Sequence, residues 1–135
     1  MHTEMKKLGL FFLFTLSFVG FAIAQAPTNA PKAEFKDNKH NFGKLAEEVG
    51  QATCTFEFTN TGATPLIVNS VRASCGCTTP SYTKEPVLPG NKGEIKVAYS
   101  TTNRVGAFEK TVTVFTNVPD TTYRLVIRGE VLPRK

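Results

Sequence analysis

Apolar and polar side chains alternate in short runs from about residue 33 to the end of the chain. The run 53–59 carries its apolar residues at even positions, and the run 94–100 carries them at odd positions. A period of two puts successive side chains on opposite faces of a strand, so each run predicts a strand with one buried face. Helical periodicity is not evident in these runs.

Three further runs predict strands by the same argument. The run 66–72 is rich in β-branched residues, which favour an extended backbone, although its inward face is not clear from the pattern. The runs 108–117 and 122–131 alternate more regularly. Between them, Val118-Pro119-Asp120-Thr121 places Pro and Asp at the central positions of a turn. These two runs are therefore predicted to form a β-hairpin.

The number and spacing of the strands predict the fold class. About seven short strands, including weaker ones near Phe35 and Phe42, spaced about ten residues apart, indicate an all-β immunoglobulin-like sandwich. A small barrel is the alternative. The core expected for the sandwich consists of apolar residues with inward parity: Phe35, Phe42, Cys54, Phe56, Phe58, Ile95, Val97, Tyr99, Val112, Val114, Leu125 and Ile127. Trp is absent, so the Cys and Trp core of antibody domains is not expected.

The beginning of the chain has a different pattern. Lys6 and Lys7 precede an apolar run, Leu8 to Ala24, which closes with the small residues Ala22 and Ala24 around Ile23. This arrangement predicts a secretory signal peptide at residues 1–24 that is cleaved after Ala24. An uncleaved anchor is the alternative, but the run is shorter than the about 20 residues that span a bilayer. We expect a periplasmic or secreted protein without stable membrane insertion after cleavage.

The rest of the chain divides into three parts. Residues 25–32 contain two Pro and no apolar pattern, which predicts a flexible leader. The sandwich domain is expected at residues 33–132, followed by a tail at 133–135. The net charge of the whole chain is +5, but after the signal peptide only Arg134 and Lys135 are adjacent basic residues. Without a basic stripe to follow a phosphate backbone, a nucleic-acid partner is not expected.

Few residues suit catalysis. His40 is the one His beyond the signal peptide, so Ser-His-Asp or Cys-His chemistry would depend on it. We interpret His40 as a polar residue at a strand end or turn. Glu47 and Glu48 stand in a loop bounded by Lys and Gly, and we expect them to form a solvated turn. Metalloprotease, phosphate-loop and dinucleotide motifs are missing from the sequence, so neither an enzyme nor a cofactor is predicted.

The segment Ser74-Cys75-Gly76-Cys77-Thr78 is the best candidate for chemistry. Neighbouring thiols of an exported protein meet oxidising conditions, and Gly76 would let the backbone turn tightly enough for Cys75 and Cys77 to pair. That loop of three residues would contribute only about 1.6 kcal/mol, whereas a Cys54–Cys75 loop of 22 residues would contribute about 3.4 kcal/mol. A Cys75–Cys77 bond is therefore better explained as a turn lock or a labile redox pair. Pairing through Cys54, reduced thiols and intermolecular bonds remain open.

The third cysteine, Cys54, is predicted to belong to the core, and metal binding by the cysteines is a separate hypothesis. Cys54 has the parity of Phe56 and Phe58, which predicts a buried thiol that acts as a small apolar residue. Cys75 and Cys77 could hold a soft ion such as Cu(I), and Cys54 with His40 would complete four ligands for zinc. A lone Cys-x-Cys pair lacks the second pair typical of zinc sites, so no metal site is assigned.

Several segments together resemble the bacterial domain of unknown function 1573 family. They are His40-Asn41-Phe42-Gly43, Phe56-Glu57-Phe58-Thr59-Asn60-Thr61-Gly62, Pro65-Leu66, Ser74-Cys75-Gly76-Cys77-Thr78, Pro80-Ser81-Tyr82, Pro89-Gly90 and Gly129-Glu130-Val131. The resemblance covers about residues 35–131 and implies an exported immunoglobulin-like sandwich, similar to major sperm protein and hydin domains, without an assigned activity. Cys75 and Cys77 match the family's pair. Cys54 stands where an ordinary apolar residue is expected, so its role would be particular to this protein.

Three functions are compatible with these features. The leading hypothesis is a non-catalytic module that binds a protein partner in the cell envelope through sandwich loops or a strand edge. The alternative is a thiol redox or soft-metal-binding protein that uses Cys75 and Cys77. Glycan binding through Tyr82, Tyr99 or Tyr123 is a third hypothesis, although two of these residues have core parity and no Trp platform exists.

Overall fold

Strands account for most of the chain between residues 29 and 135, which is the part that the computed structural model describes. The predicted signal peptide and residues 25–28 lie outside the described residues. A short 3-10 helix, Glu47–Val49, separates the second and third strands. The strands are β1 (Ala33–Phe35), β2 (Lys39–Ala46), β3 (Gln51–Asn60), β4 (Val68–Ala73), β5 (Thr78–Tyr82), β6 (Lys92–Ser100), β7 (Gly106–Thr116) and β8 (Thr122–Leu132). Across residues 29–135, no helix has the length and apolar character needed to cross a membrane.

The strands form two sheets of four, which confirms the predicted all-β sandwich. The first sheet has the order β1-β3-β6-β5, and the second has the order β2-β8-β7-β4. When the strands are lettered along the chain as in an immunoglobulin domain, the first sheet has the spatial order A-B-E-D. In the second sheet, β4, β7 and β8 correspond to C, F and G. β2 lies parallel to β8, while the other neighbouring pairs are antiparallel. The hairpin predicted around Pro119 is present, because β7 pairs antiparallel with β8 from Phe115 and Thr122 onwards.

One strand, β5, was not predicted by the alternation pattern. It contains Pro80, which has no backbone N–H to donate to a neighbouring strand. Proline is tolerated at a sheet edge, and β5 is the outer strand of its sheet, paired only with β6. Residues 29–135 therefore contain eight strands, where the sequence predicts about seven.

The core lies between the two sheets and includes most of the predicted residues. Phe35 and Phe42 are only partly buried against it, because they belong to the outer strands β1 and β2. Leu66, Val68 and Val87 are buried although the pattern did not place them in the core. Leu66 and Val87 exchange two backbone hydrogen bonds, 2.9 and 2.8 Å, which tie the segments before β4 and β6 together.

Glu47 is not the solvated residue that the sequence predicts. Its side chain is buried, and its Oε1 accepts a 2.9 Å hydrogen bond from the backbone N–H of Asn103. Its carbonyl oxygen accepts a bond from the hydroxyl of Thr101, and Arg134 Nε lies 3.7 Å from its Oε2. Glu48 is exposed as expected. Glu47 therefore ties the 3-10 helix to the loop between β6 and β7.

Candidate functional site

The Cys75–Cys77 turn lies where the chain passes from one sheet to the other. It follows β4, an outer strand of the second sheet, and precedes β5, an outer strand of the first sheet. The two strands therefore border the same side of the sandwich, and the turn joins them at one end.

Backbone hydrogen bonds hold both flanks of this turn. The N–H of Ser74 donates to Thr111 O at 2.9 Å, and the N–H of Thr111 donates to Ser74 Oγ at 3.1 Å. On the other flank, the N–H of Ser100 donates to Cys77 O at 2.9 Å. The turn is thus attached to β7 and β6 by contacts that do not involve its sulfur atoms.

The structure places a disulfide between Cys75 and Cys77, whose Cα atoms are 5.3 Å apart. The Cys77 side belongs to the core and is only 3% exposed, whereas Cys75 is partly exposed. The backbone N–H of Cys77 lies 3.2 Å from Cys75 Sγ. The Thr78 hydroxyl oxygen is 3.8 Å from each sulfur, so one hydroxyl faces both atoms of the pair.

Gly76 does not enable the turn in the way that the sequence suggests. Its φ angle lies outside the left-handed region, so the backbone here does not require glycine. A Cβ atom at this position would meet nothing within 4 Å. Neither the backbone conformation nor the space around Gly76 therefore requires glycine at this position.

Cys54 lies in the core of the first sheet and is 7% exposed. The register pairs Cys54 with Val97, and Val97 with Pro80. Two strand spacings, about 10 Å, therefore separate Cys54 from β5. The Cα atoms of a disulfide are at most about 7 Å apart, so this separation opposes a bond from Cys54 to the turn before β5. Burial raises the pKa of the Cys54 thiol to about 11, so it stays protonated and weakly nucleophilic at neutral pH.

The four residues considered for zinc are not gathered in one place. His40 belongs to β2 in the other sheet, opposite Ile127, and its ring lies 4.6 Å from the ring of Phe42. Cys54 is separated from the Cys75–Cys77 pair as described above. Among residues 29–135, no group of three His, Cys, Asp or Glu side chains is placed to hold a metal ion.

The tyrosines considered for glycan binding do not share a surface. Tyr99 is buried and stacked on Phe108, with ring centroids 3.8 Å apart. Burial raises the pKa of Tyr99, and the nearby Arg104 charge opposes this shift. Tyr82 and Tyr123 are partly exposed but lie on different sheets. The structure therefore presents no joint tyrosine platform.

Four segments converge at the end of the sandwich that carries the Cys75–Cys77 turn. We call this the disulfide end, formed by residues 46–50, 74–77, 101–105 and 132–135. Thr101 donates from its N–H to Gly50 O at 3.0 Å, which joins two of these segments, and the bond from Ser100 to Cys77 attaches the Cys75–Cys77 turn to the end of β6. The C-terminal segment is joined by the Lys135 N–H, 3.4 Å from Glu48 Oε1.

Three apolar side chains at the disulfide end point into solvent. Val49 is 54% exposed, Val105 is 57% exposed and Leu132 is 38% exposed. Val131 pairs with Gly106, so Leu132 at the end of β8 and Val105, just before β7, are next to this pair on the two neighbouring chain segments. Sequence reasoning missed this surface because it assembles single apolar residues from separate turns. The available signal was an isolated Val inside two polar segments, Val49 and Val105.

Residues 33–131 match the family described as "Protein of unknown function (DUF1573)". The chain belongs to this family. The resemblance found in the sequence is thereby confirmed, and the DUF1573 match begins at the first residue of β1. No curated protein matches the sequence.

Solved structures similar to this DUF1573 chain show the same fold. A protein of unknown function from Porphyromonas gingivalis W83 is 18% identical, with a TM-score of 0.66, and the match covers 79% of this chain and 50% of that one. A family 123 glycoside hydrolase from Clostridium perfringens is 8% identical, with a TM-score of 0.61, over 78% of this chain and 27% of that one.

The VesB protease of Vibrio cholerae is also similar to this chain in structure. It is 18% identical, with a TM-score of 0.55, and the match covers 77% of this chain and 32% of that one. This chain thus spans half or less of each of the three proteins. At these identities the likeness shows the fold and does not carry the catalytic activity of the protease or the hydrolase.

Proposed function

We propose that this DUF1573 domain is an exported, non-catalytic module that binds a protein of the cell envelope through its disulfide end. The observation that carries the proposal is the exposure of Val49 in the 3-10 helix, Val105 in the loop before β7 and Leu132 at the end of β8, all at the disulfide end. Apolar side chains collected at one place on a surface are typical of protein-binding sites. Their burial against a partner would supply the hydrophobic contribution to binding.

The strand edges are less suited to binding than the loops. Within residues 29–135, β1 has only three residues, and β2 is interrupted by a bulge at Gly43, whose φ is +67°. On the other side, β5 contains Pro80, and the Tyr82 hydroxyl donates to Asn69 O of β4 at 3.4 Å. Short strands, bulges, proline and covering side chains all oppose pairing with another strand. We therefore favour the loops over β-strand addition.

The charges around the exposed apolar residues indicate the chemistry of the partner. Arg104, Arg134 and Lys135 lie at the disulfide end. Glu48 is the exposed acidic side chain beside them, whereas Glu47 is buried. Arg134 lies 3.7 Å from the carboxylate of Glu47, which offsets its charge, so Arg104 and Lys135 stand against Glu48 and the rim carries a small positive excess. A partner segment with apolar residues flanked by acidic side chains would complement it.

The binding surface is tested by charge substitution at the disulfide end. Val105→Glu should abolish capture of a cross-linked partner from the envelope fraction, because it puts a carboxylate into the apolar surface. Leu88→Glu is the matched control, since Leu88 is 53% exposed but lies in the loop before β6, away from the disulfide end. The two variants should be compared with the wild type by quantitative mass spectrometry. Equal capture by both variants would contradict the assigned surface.

Export is tested separately by the mass of the protein recovered from the periplasm or medium. We expect a chain that begins at Gln25, because cleavage after Ala24 would remove the apolar run. An intact mass that begins at Met1, or recovery only from the cytoplasm, would contradict export. This measurement does not depend on whether the partner is found.

A further inference from the structure

The two residues of the Cys75–Cys77 disulfide differ in their exposure. Cys77 is 3% exposed and belongs to the core, while Cys75 is partly exposed. Cys75 is therefore the residue of the pair that a nucleophile from solvent reaches more easily. We propose that this pair is a thiol–disulfide exchange site, in which the thiolate of another protein attacks Cys75.

The disulfide can open without loss of the fold. It closes a loop of only three residues, so its chain-entropy contribution to stability is small compared with that of a disulfide that closes a long loop. Ser74 and Cys77 stay attached to β7 and β6 through backbone hydrogen bonds that do not involve sulfur. A bond that holds no distant parts of the chain together is suited to reversible cleavage.

Neighbouring donors can stabilise the charge that exchange places on sulfur. The Thr78 hydroxyl lies 3.8 Å from both sulfurs, so it can donate to whichever becomes the thiolate. The backbone N–H of Cys77, 3.2 Å from Cys75 Sγ, favours the thiolate of Cys75. Hydrogen bonds to a thiolate lower the pKa of its thiol, and a leaving thiol with a lower pKa leaves faster during exchange.

The exchange proceeds in two balanced steps with a protein dithiol as reductant. The first partner thiolate attacks Cys75 Sγ and forms a mixed disulfide, while the Cys75–Cys77 bond breaks and Cys77 Sγ takes its electron pair and then a proton. The second partner thiolate attacks the partner sulfur of the mixed disulfide and releases Cys75 as a thiolate, which is protonated. The partner dithiol is oxidised to a disulfide, and the Cys75–Cys77 pair is reduced to two thiols. Cys54 takes no part because it is buried on a different strand.

The reactivity of each sulfur is measured with two matched variants. Cys77→Ser leaves Cys75 as the thiol of the turn, and Cys75→Ser leaves Cys77. With glutathione disulfide as the probe, the Cys77→Ser variant should form a mixed disulfide more than about tenfold faster, because the thiol of Cys75 is accessible. Far-UV circular dichroism should show both variants folded. Equal rates, or faster reaction at Cys77, would overturn the proposal.

The wild type provides a test that does not depend on either variant folding. The oxidised native protein is mixed with reduced glutathione, quenched in acid and digested, and the mixed disulfide should be found on Cys75. With a reduced dithiol peptide, one peptide disulfide should form for each Cys75–Cys77 pair reduced, and the far-UV spectrum should stay native. Glutathione on Cys77, or reduction that occurs only in denaturant, would show a structural cross-link. Exchange with these probes does not require Val105, so its failure is distinguishable from failure of the binding proposal.

Discussion

Asn60→Ala is expected to lower the free energy of unfolding by at least about 3 kcal/mol. Asn60 is fully buried, and its Nδ2 donates to Thr64 O and Val87 O, each at 2.8 Å. Its Oδ1 accepts bonds from the backbone N–H groups of Gly62 at 2.9 Å and Lys32 at 3.4 Å. Alanine would remove the side-chain partner of all four backbone groups, although Val87 O would keep its bond from the Leu66 N–H. A buried group left without a partner costs about 1–3 kcal/mol.

The measurement is equilibrium unfolding in urea, followed by far-UV circular dichroism. Asn91→Ala is the matched control, because the Asn91 side chain is exposed while its backbone oxygen still accepts the Asn60 N–H at 2.9 Å. We expect the control to change the unfolding free energy by less than about 0.5 kcal/mol. Similar values for the two variants would show that the Asn60 side chain does not hold these segments together.

The strands with one buried face could be predicted from the sequence because their apolar residues, which are buried, alternate with polar residues, which are exposed. In β3, the even positions are buried from Ala52 to Asn60, and in β6 the odd positions are buried from Gly93 to Tyr99. The inward parity assigned to both runs is confirmed. Phe35 and Phe42 show the limit of this reasoning. Parity gives the face of a strand but not whether the strand is central or outer, and an outer strand leaves its inward side chains partly exposed.

Contacts between distant segments could not be derived from local pattern. In the sequence, Asn60 stands out only as part of a segment that resembles the family, yet its partners Val87 and Lys32 are 27 and 28 residues away along the chain. The burial of Glu47 has the same origin, since Asn103 lies 56 residues away. Such bonds depend on which loops the folded sheets bring together.

The residues of the candidate site could be predicted from the sequence, but their exposure could not. The sequence identifies Cys75 and Cys77 as a chemical pair, because two cysteines around a glycine are unusual in composition and spacing. It does not show that Cys77 enters the core while Cys75 remains accessible. That difference arises because the turn connects outer strands of two different sheets, which only the topology determines.

Phe58→Ala is expected to lower the unfolding free energy by about 3–5 kcal/mol. Phe58 is 1% exposed, and its ring centroid lies 5.4 Å from that of Phe35 in the neighbouring strand β1. It also faces Gly93, its partner in β6, where a Cβ atom would overlap the ring. Alanine would therefore leave a cavity lined by rigid strands, which can close only in part.

Urea unfolding of Phe58→Ala and Phe115→Ala distinguishes the free-energy cost of a cavity in the core from the cost of removing an aromatic ring elsewhere. Phe115 is partly buried near the end of β7, with the Arg72 guanidinium carbon 5.7 Å from its ring centroid. Its removal should cost about 1 kcal/mol, because solvent can fill the space that the ring leaves. Equal losses in the two variants would contradict the burial of Phe58 in the core between the two sheets. A loss confined to Phe58→Ala would show that packing between the sheets, more than the aromatic side chain itself, accounts for its contribution to stability.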